Sequence, residues 1–224
     1  MGKNDNGNNG RTELVFVVDR SGSMGGLESD TIGGFNSMLS KQRTIAGECR
    51  VTTLLFDHRI ETLHNHLDIR EVNDLTSRDY WVRGSTALLD AIGLAIDRMI
   101  VTQRHTAAAY RAQHVLFVII TDGYENASRR YSLHQIKQMI TYERERYHWE
   151  FVFLGANIDA EQTAGDFGIS PRCATDFHAD GQGIKASFEA VACAATAVRG
   201  GADLEDLNAP DFLGGVRDDY RSRR

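Results

Sequence analysis

Two runs, ELVFVVD at 13–19 and HVLFVIITD at 114–122, constrain the fold more than any other part of the chain. Each is short, rich in Val, Ile and Phe, and apolar at almost every position, so neither can keep one face in water. Both read as strands buried on both faces. Around them the hydrophobic period changes. Residues 27–44 carry Leu27, Thr31, Phe35, Met38 and Leu39 near one helical face, and in 86–100 Leu88, Ile92, Ala95 and Met99 form a single stripe. Further strands are expected at RVTTLLFD (50–57), RIETLHNHL (59–67), WEFVFLGA (149–156) and, weakly, CATDFHA (173–179); RIETLHNHL has the looser alternation of an edge strand. Further helices are expected from about 132, over 159–167 and over 181–199. Strands alternating with helices imply right-handed crossovers, hence a mainly parallel six-stranded sheet with helices on both faces, a doubly wound α/β fold.

At 224 residues and 42% hydrophobic, the chain has enough apolar surface for one substantial domain. Its expected limits are 11–200, preceded by a Gly/Asn-rich disordered leader at 1–10 and followed by an extension at 201–224. The extension loses helical period, and its RDDYRSRR end is expected to be poorly ordered. A net charge of −6 provides no positive field for nucleic acid or anionic membrane, so neither is an expected partner. Cys49, Cys173 and Cys193 are odd in number and widely spaced, which fits neither a disulfide framework nor a zinc site. No run is long and apolar enough for a leader peptide or a membrane span, and the expected compartment is cytoplasmic. An excess of 21 arginines over 4 lysines is compatible with a GC-rich bacterial source.

In a doubly wound sheet, ligands bind beyond the carboxyl ends of the strands, where strand order reverses. Three polar groups occupy such ends. Asp19 closes the first strand and is followed by Ser21 and Ser23; Thr121, Asp122 and Gly123 close the strand from His114; Ser85 and Thr86 stand just before a helix. Taken singly, Asp19 with its serines reads equally well as an Asx turn with a helix cap, Thr86 as an N-cap and Asp122 as a turn residue. If the two buried strands are neighbours, however, Asp19, Ser21, Ser23, Thr86 and Asp122 converge as an all-oxygen donor set. Two carboxylates and three hydroxyls suit Mg²⁺ or Mn²⁺ better than Zn²⁺ or Ca²⁺.

The motifs DRSGSM (19–24), GSTALLDA (84–91) and TDG (121–123), in that order, resemble those of von Willebrand factor type A domains over about residues 13–199. By position, the family's D-x-S-x-S, downstream Thr and downstream Asp fall on Asp19, Ser21, Ser23, Thr86 and Asp122, a complete metal-ion-dependent adhesion site (MIDAS). The resemblance implies a Rossmann-like three-layer sandwich whose antiparallel edge strand is 59–67. It further implies hydroxyls bound directly to the ion, carboxylates acting partly through water, and a non-catalytic module whose protein partner presents an Asp or Glu to the metal. The alternative is a Mg²⁺-dependent hydrolase or phosphotransferase with Asp19 at the metal. Against it, Ser21 occupies the place of a second acid, and neither a phosphate-binding G-x-x-x-x-G-K-[ST] loop nor a G-x-S-x-G elbow is present.

Remaining polar features have blander accounts. His64 and His66 read as an exposed polar edge, and Arg129, Arg130, Arg144 and Arg146, with Glu143 and Glu145 interleaved, as a solvated helix face. Tyr80, Trp81, Tyr124 and Tyr131 lie near the predicted metal loops, as a partner-binding rim or as ordinary packing.

Overall fold

A computed structural model of the chain describes residues 10–206, 208 and 210–223. The leader expected at 1–10 therefore lies, apart from Gly10, outside the described residues. Six strands form one sheet in the order β3-β2-β1-β4-β5-β6: β1 Thr12–Asp19, β2 Cys49–Phe56, β3 Ile60–Asp68, β4 His114–Asp122, β5 Glu150–Ala156 and β6 Ala174–Asp176. Every residue of β1 is buried, as is all of β4 except His114. That is why these two runs could not alternate: each has neighbours in the sheet on both sides and helices above and below.

β1 is parallel to β2, with Asp19 opposite Phe56, and parallel to β4, with Val18 opposite Ile120. The chain leaves β1 toward β2 and later returns on its other side as β4. Right-handed crossovers in opposite directions put α1 (Glu28–Arg43) on one face and α2 (Leu88–His105), α3 (Leu133–Tyr147) and α4 (Ala160–Phe167) on the other. The last long helix, α5 (Gly181–Arg199), packs against α1. Phe35 of α1 joins these layers, its ring set edge-on to Phe16 at 5.2 Å and to Phe188 at 6.2 Å between centroids. The strand-order reversal falls between β1 and β4, so their carboxyl ends part into a crevice.

The antiparallel edge strand is β3, paired with β2 as expected, but its histidines are not on an exposed edge. The register shifts twice, around Thr53, and His66 takes a positive φ of 55°. The resulting bulge turns His64 inward, where it is 7% exposed and its Nδ1 lies 3.0 Å from Thr53 Oγ1, while His66 pairs with Glu13 at 2.7 Å. Burial holds the His64 imidazole below its usual pKa.

The charged tail also differs from expectation. RDDYRSRR contributes to a sixth helix, α6 (Gly214–Ser222), anchored by the buried Val216 and by the guanidinium of Arg217. Arg217 donates to the carbonyls of Pro171, Arg172 and Ala174 at 3.1–3.2 Å, so it occupies acceptors beside the edge strand β6. One apolar side chain and one arginine give too weak a period to be read as a helix. No helix among the described residues is long and apolar enough to cross a membrane.

The end of α1 depends on α5 through a buried charge. Arg199, 2% exposed, donates to the carbonyls of Gln42 at 2.6 Å and Ile45 at 2.9 Å, adding charged donors where α1 ends. Arg199→Ala is expected to lower stability by about 2–4 kcal/mol, because buried carbonyls lose charge-assisted bonds. Urea unfolding of the two proteins measures this; a difference within error would mean that Arg199 is dispensable to the packing of α1 on α5.

Candidate metal centre

Asp19 ends the central strand and is fully buried. Its carboxylate is held from three directions: Oδ1 accepts from Ser21 N at 2.6 Å, while Oδ2 accepts from Thr121 Oγ1 at 2.7 Å and, more weakly, from Asp122 N at 3.3 Å. Those donors lie in the turn after β1 and at the end of β4, so the carboxylate is itself the link between the two loops. Tyr80 adds a fourth tie from another loop, its hydroxyl donating to the Asp19 carbonyl at 2.6 Å.

The turn after Asp19 exposes Ser23 and buries Ser21, and their hydroxyl oxygens are 3.0 Å apart. Two glycines let the other loops close on this turn. Gly22 N donates to Gly84 O at 3.1 Å, and a Cβ on Gly22 would already stand 3.3 Å from that carbonyl. Gly123, at φ +136°, takes a path that other residues rarely adopt, and its missing Cβ would lie 3.5 Å from Ser23 Oγ. Asp19, Ser21, Ser23 and Asp122 are thus brought together directly. Thr86 is buried two residues beyond Gly84, and its main chain is fixed on both sides: its N–H donates to Asn126 Oδ1 at 2.9 Å, and its carbonyl accepts from Asn126 N at 3.0 Å.

Burial pushes the Asp19 carboxyl pKa up, opposed by the hydrogen bonds from Ser21, Thr121 and Asp122. Asp122 is also raised by burial, and the Asn157 side-chain amide, which donates to its Oδ1, works against the rise. Nearby cations are committed elsewhere. Arg20, 1% exposed, donates from Nε to Asp57 at 3.0 Å and is ion-paired with Glu61 at 2.8 Å, and Arg83 donates to Asp57 at 2.8 Å. Burial raises the Asp57 acid, but the bonds from Arg83 and the Arg59 main chain and the charge of Arg20 outweigh it and hold the group below the usual carboxylate range. Both guanidinium groups also lie against the Trp81 ring, at 5.4 Å and 4.4 Å from its centroid.

The donor set suits a small, hard divalent cation. Neighbouring ligands in an octahedron with metal–oxygen distances of ~2.0–2.1 Å are separated by roughly 2.9 Å. The hydroxyls of Ser21 and Ser23 are hydrogen-bonded to each other at 3.0 Å, so their oxygens already stand at about the separation of such an edge. No group of three or more His, Cys, Asp or Glu side chains among the described residues is arranged to hold a metal.

Sequence reasoning named Thr121 as part of the strand end and Tyr80 as an aromatic near the loops, in both cases without the role, and it missed Asn157 and Asn126. Asn157 was within reach of the same logic: it is the first residue after β5, at a positive φ of 54°, where a strand-end polar group belongs. Nothing in the local pattern gives Tyr80 its bond to the Asp19 carbonyl, because that role comes from loop packing. Of the aromatics placed near the centre, Tyr80 is buried and Tyr131 donates to Asp97 at 2.6 Å, whereas Trp81 and Tyr124 are exposed.

No protein-family model and no curated protein matches the sequence. Solved structures do match. Proximal thread matrix protein 1 (PTMP1) from the mussel byssus, in a structure described as having a zinc-occupied MIDAS motif, is 13% identical with a TM-score of 0.56. The match covers 83% of this chain and 46% of the mussel chain, so this chain spans less than half of that protein. The vWF domain of the type V pili tip protein Mfa5 from Porphyromonas gingivalis is 13% identical at a TM-score of 0.57, over 84% of this chain and 95% of its own. Manganese-loaded TRAP protein from Plasmodium vivax is 15% identical at a TM-score of 0.53, over 80% and 72%. The similarity is one of architecture: this chain has the Rossmann-like α/β sandwich of von Willebrand factor type A domains.

Proposed function

We propose that the protein is a non-catalytic, metal-dependent interaction module, in which Asp19, Ser21, Ser23, Thr86 and Asp122 hold Mg²⁺ or Mn²⁺ and a protein partner supplies an Asp or Glu side chain. The observation that carries this reading is the pair of serine hydroxyls 3.0 Å apart beside the buried Asp19 carboxylate, at the sheet's switch point. The bound ion would act as a Lewis acid that takes up a carboxylate oxygen from outside. Three of the five donors are neutral hydroxyls, so an external carboxylate is the strongest further ligand on offer. Ser21 and Ser23 contribute hydroxyls directly. Asp19, with both oxygens engaged by Ser21, Thr121 and Asp122, orients the turn and is suited to reach the ion through water.

That same engagement counts against the hydrolase alternative, because a nucleophilic carboxylate needs an oxygen free to attack. The exposed Trp81 and Tyr124 suit the rim of a partner-binding face. Support for a resident metal also comes from the mussel and Plasmodium structures, described with zinc and manganese. The compartment we assign is a bacterial cytoplasm, in keeping with three unpaired cysteines of which Cys193 is exposed.

Mg²⁺ at a hundredfold excess over its dissociation constant should stabilise the fold by about 2.7 kcal/mol, seen as a rise in melting temperature that EDTA reverses. Ser23→Ala, which alters an exposed hydroxyl, and Thr86→Val should melt like the wild type without metal and lose that rise. Absence of any rise with Mg²⁺ or Mn²⁺ would sink the metal reading.

The interaction itself calls for affinity capture in Mg²⁺, in EDTA, and with Ser23→Ala in Mg²⁺. A partner should be retained only in the first, and replacing one of its surface Asp or Glu residues should release it. Metal-dependent turnover of a phosphate ester, lost in Ser23→Ala, would instead establish the hydrolase.

A further inference from the structure

The opposite end of the sheet carries a cavity unrelated to the metal centre. β4 runs nine residues from His114 to Asp122, which at ~3.3 Å per step separates its ends by roughly 26 Å. At its starting end, where α2 and α3 terminate, a cavity of about 170 Å³ opens. Ile100, Val115 and Trp149 form an apolar wall, with the indole stacked on Phe117 at 5.5 Å.

Glu143, which the charge pattern of α3 placed on a solvated face, lines this cavity and is 3% exposed. Among the described residues, no hydrogen bond or ion pair reaches its carboxylate, while its main-chain carbonyl accepts from His148 N and, at 3.3 Å, from Trp149 N. Arg104 and Arg111 line the cavity too. Arg104 is close enough to favour the charged form of Glu143 against the effect of burial, yet forms no ion pair with it. Arg111 spends its Nε on the Thr106 carbonyl, at 3.0 Å.

We propose that this cavity binds a small zwitterion, an α-amino acid with an apolar side chain: its ammonium meets Glu143, its carboxylate meets Arg104 and Arg111, and its side chain lies against Ile100, Val115 and Trp149. Both signs of charge are needed to match the lining. A simple amine would face two guanidinium groups, a simple acid would face the Glu143 carboxylate, and an apolar ligand would leave that carboxylate buried without a partner. The volume lies below the ~300–1,000 Å³ of pockets for drug-sized ligands, which fits a ligand of few heavy atoms.

Calorimetric titration of the full chain with L-leucine, L-methionine and L-phenylalanine tests this, with the amine and the acid that each becomes on losing its carboxylate or its ammonium as controls. At least one amino acid should bind saturably, and its amine and acid should each bind at least about tenfold more weakly, a loss of ~1.4 kcal/mol or more. Glu143→Gln and Arg104→Met should each weaken binding to the same extent while melting no lower than the wild type. Arg104 is exposed, so its variant serves even if the buried Glu143 substitution disturbs folding. No saturable binding by any of the three, an amine or acid that binds as tightly as its parent, or full binding by Arg104→Met would each overturn the proposal.

Discussion

A buried carboxylate at the end of the central strand organises the loops at the carboxyl end of this sheet. Removing the Asp19 carboxylate from water costs several kcal/mol, and bonds to a charged acceptor of ~1.5–3 kcal/mol each offset that cost. The donors come from its own turn, at Ser21, and from the end of β4, at Thr121 and Asp122. Those of β4 reach it only when β1 and β4 are paired with Val18 opposite Ile120. A one-residue slip would turn Asp19 and every other β1 side chain to the wrong face, so the hydrophobic pattern that sets the register also sets the site.

How much of this could be read in advance depended on how local the cause was. The continuous apolar runs at 13–19 and 114–122 announce central strands because burial on both faces leaves no room for alternation. Helices with a wide apolar stripe, such as α2 with Leu88, Ile92, Ala95 and Met99 all buried, follow as directly. The bulge near Thr53 could not be read, since it arises between two strands and both histidines look polar in isolation. α6 was missed because its attachment depends on Arg217 finding carbonyls contributed from residues 171–174. Glu143 was misread for a related reason: an arginine-rich helix end looks solvated until Trp149 and the loop before β4 wall a cavity on one side of it.

At the candidate site the sequence revealed the residues at strand ends and not the ones that brace them. Asp19, Ser21, Ser23 and Asp122 follow from strand ends alone, and Thr86 required an order of motifs along the chain. The braces are different in kind. Asn126 fixes Thr86 from forty residues away, and Tyr80 reaches the Asp19 carbonyl from a loop with no periodicity of its own. Contacts of this sort are set by the loops' mutual packing, after the sheet has decided which loops meet.

The arrangement of fixed positive charge explains why a mobile cation suits this site. Arg20 follows Asp19 directly in the chain, and an ion pair between neighbours would have neutralised the carboxylate for good. Instead its guanidinium is buried on Asp57 and Glu61, with Arg83 completing the cluster and Trp81 covering both arginines. Asp57 thereby absorbs the cationic charge of this end of the sheet, and Asp19 is left with hydrogen-bond donors alone. Those donors orient the carboxylate without cancelling its charge. A buried, oriented carboxylate without a cationic partner among the described residues, beside two hydroxyls, is what the proposed divalent ion would complement. Had Arg20 turned to Asp19, the same backbone would carry a salt bridge there and leave no room for the proposed cation.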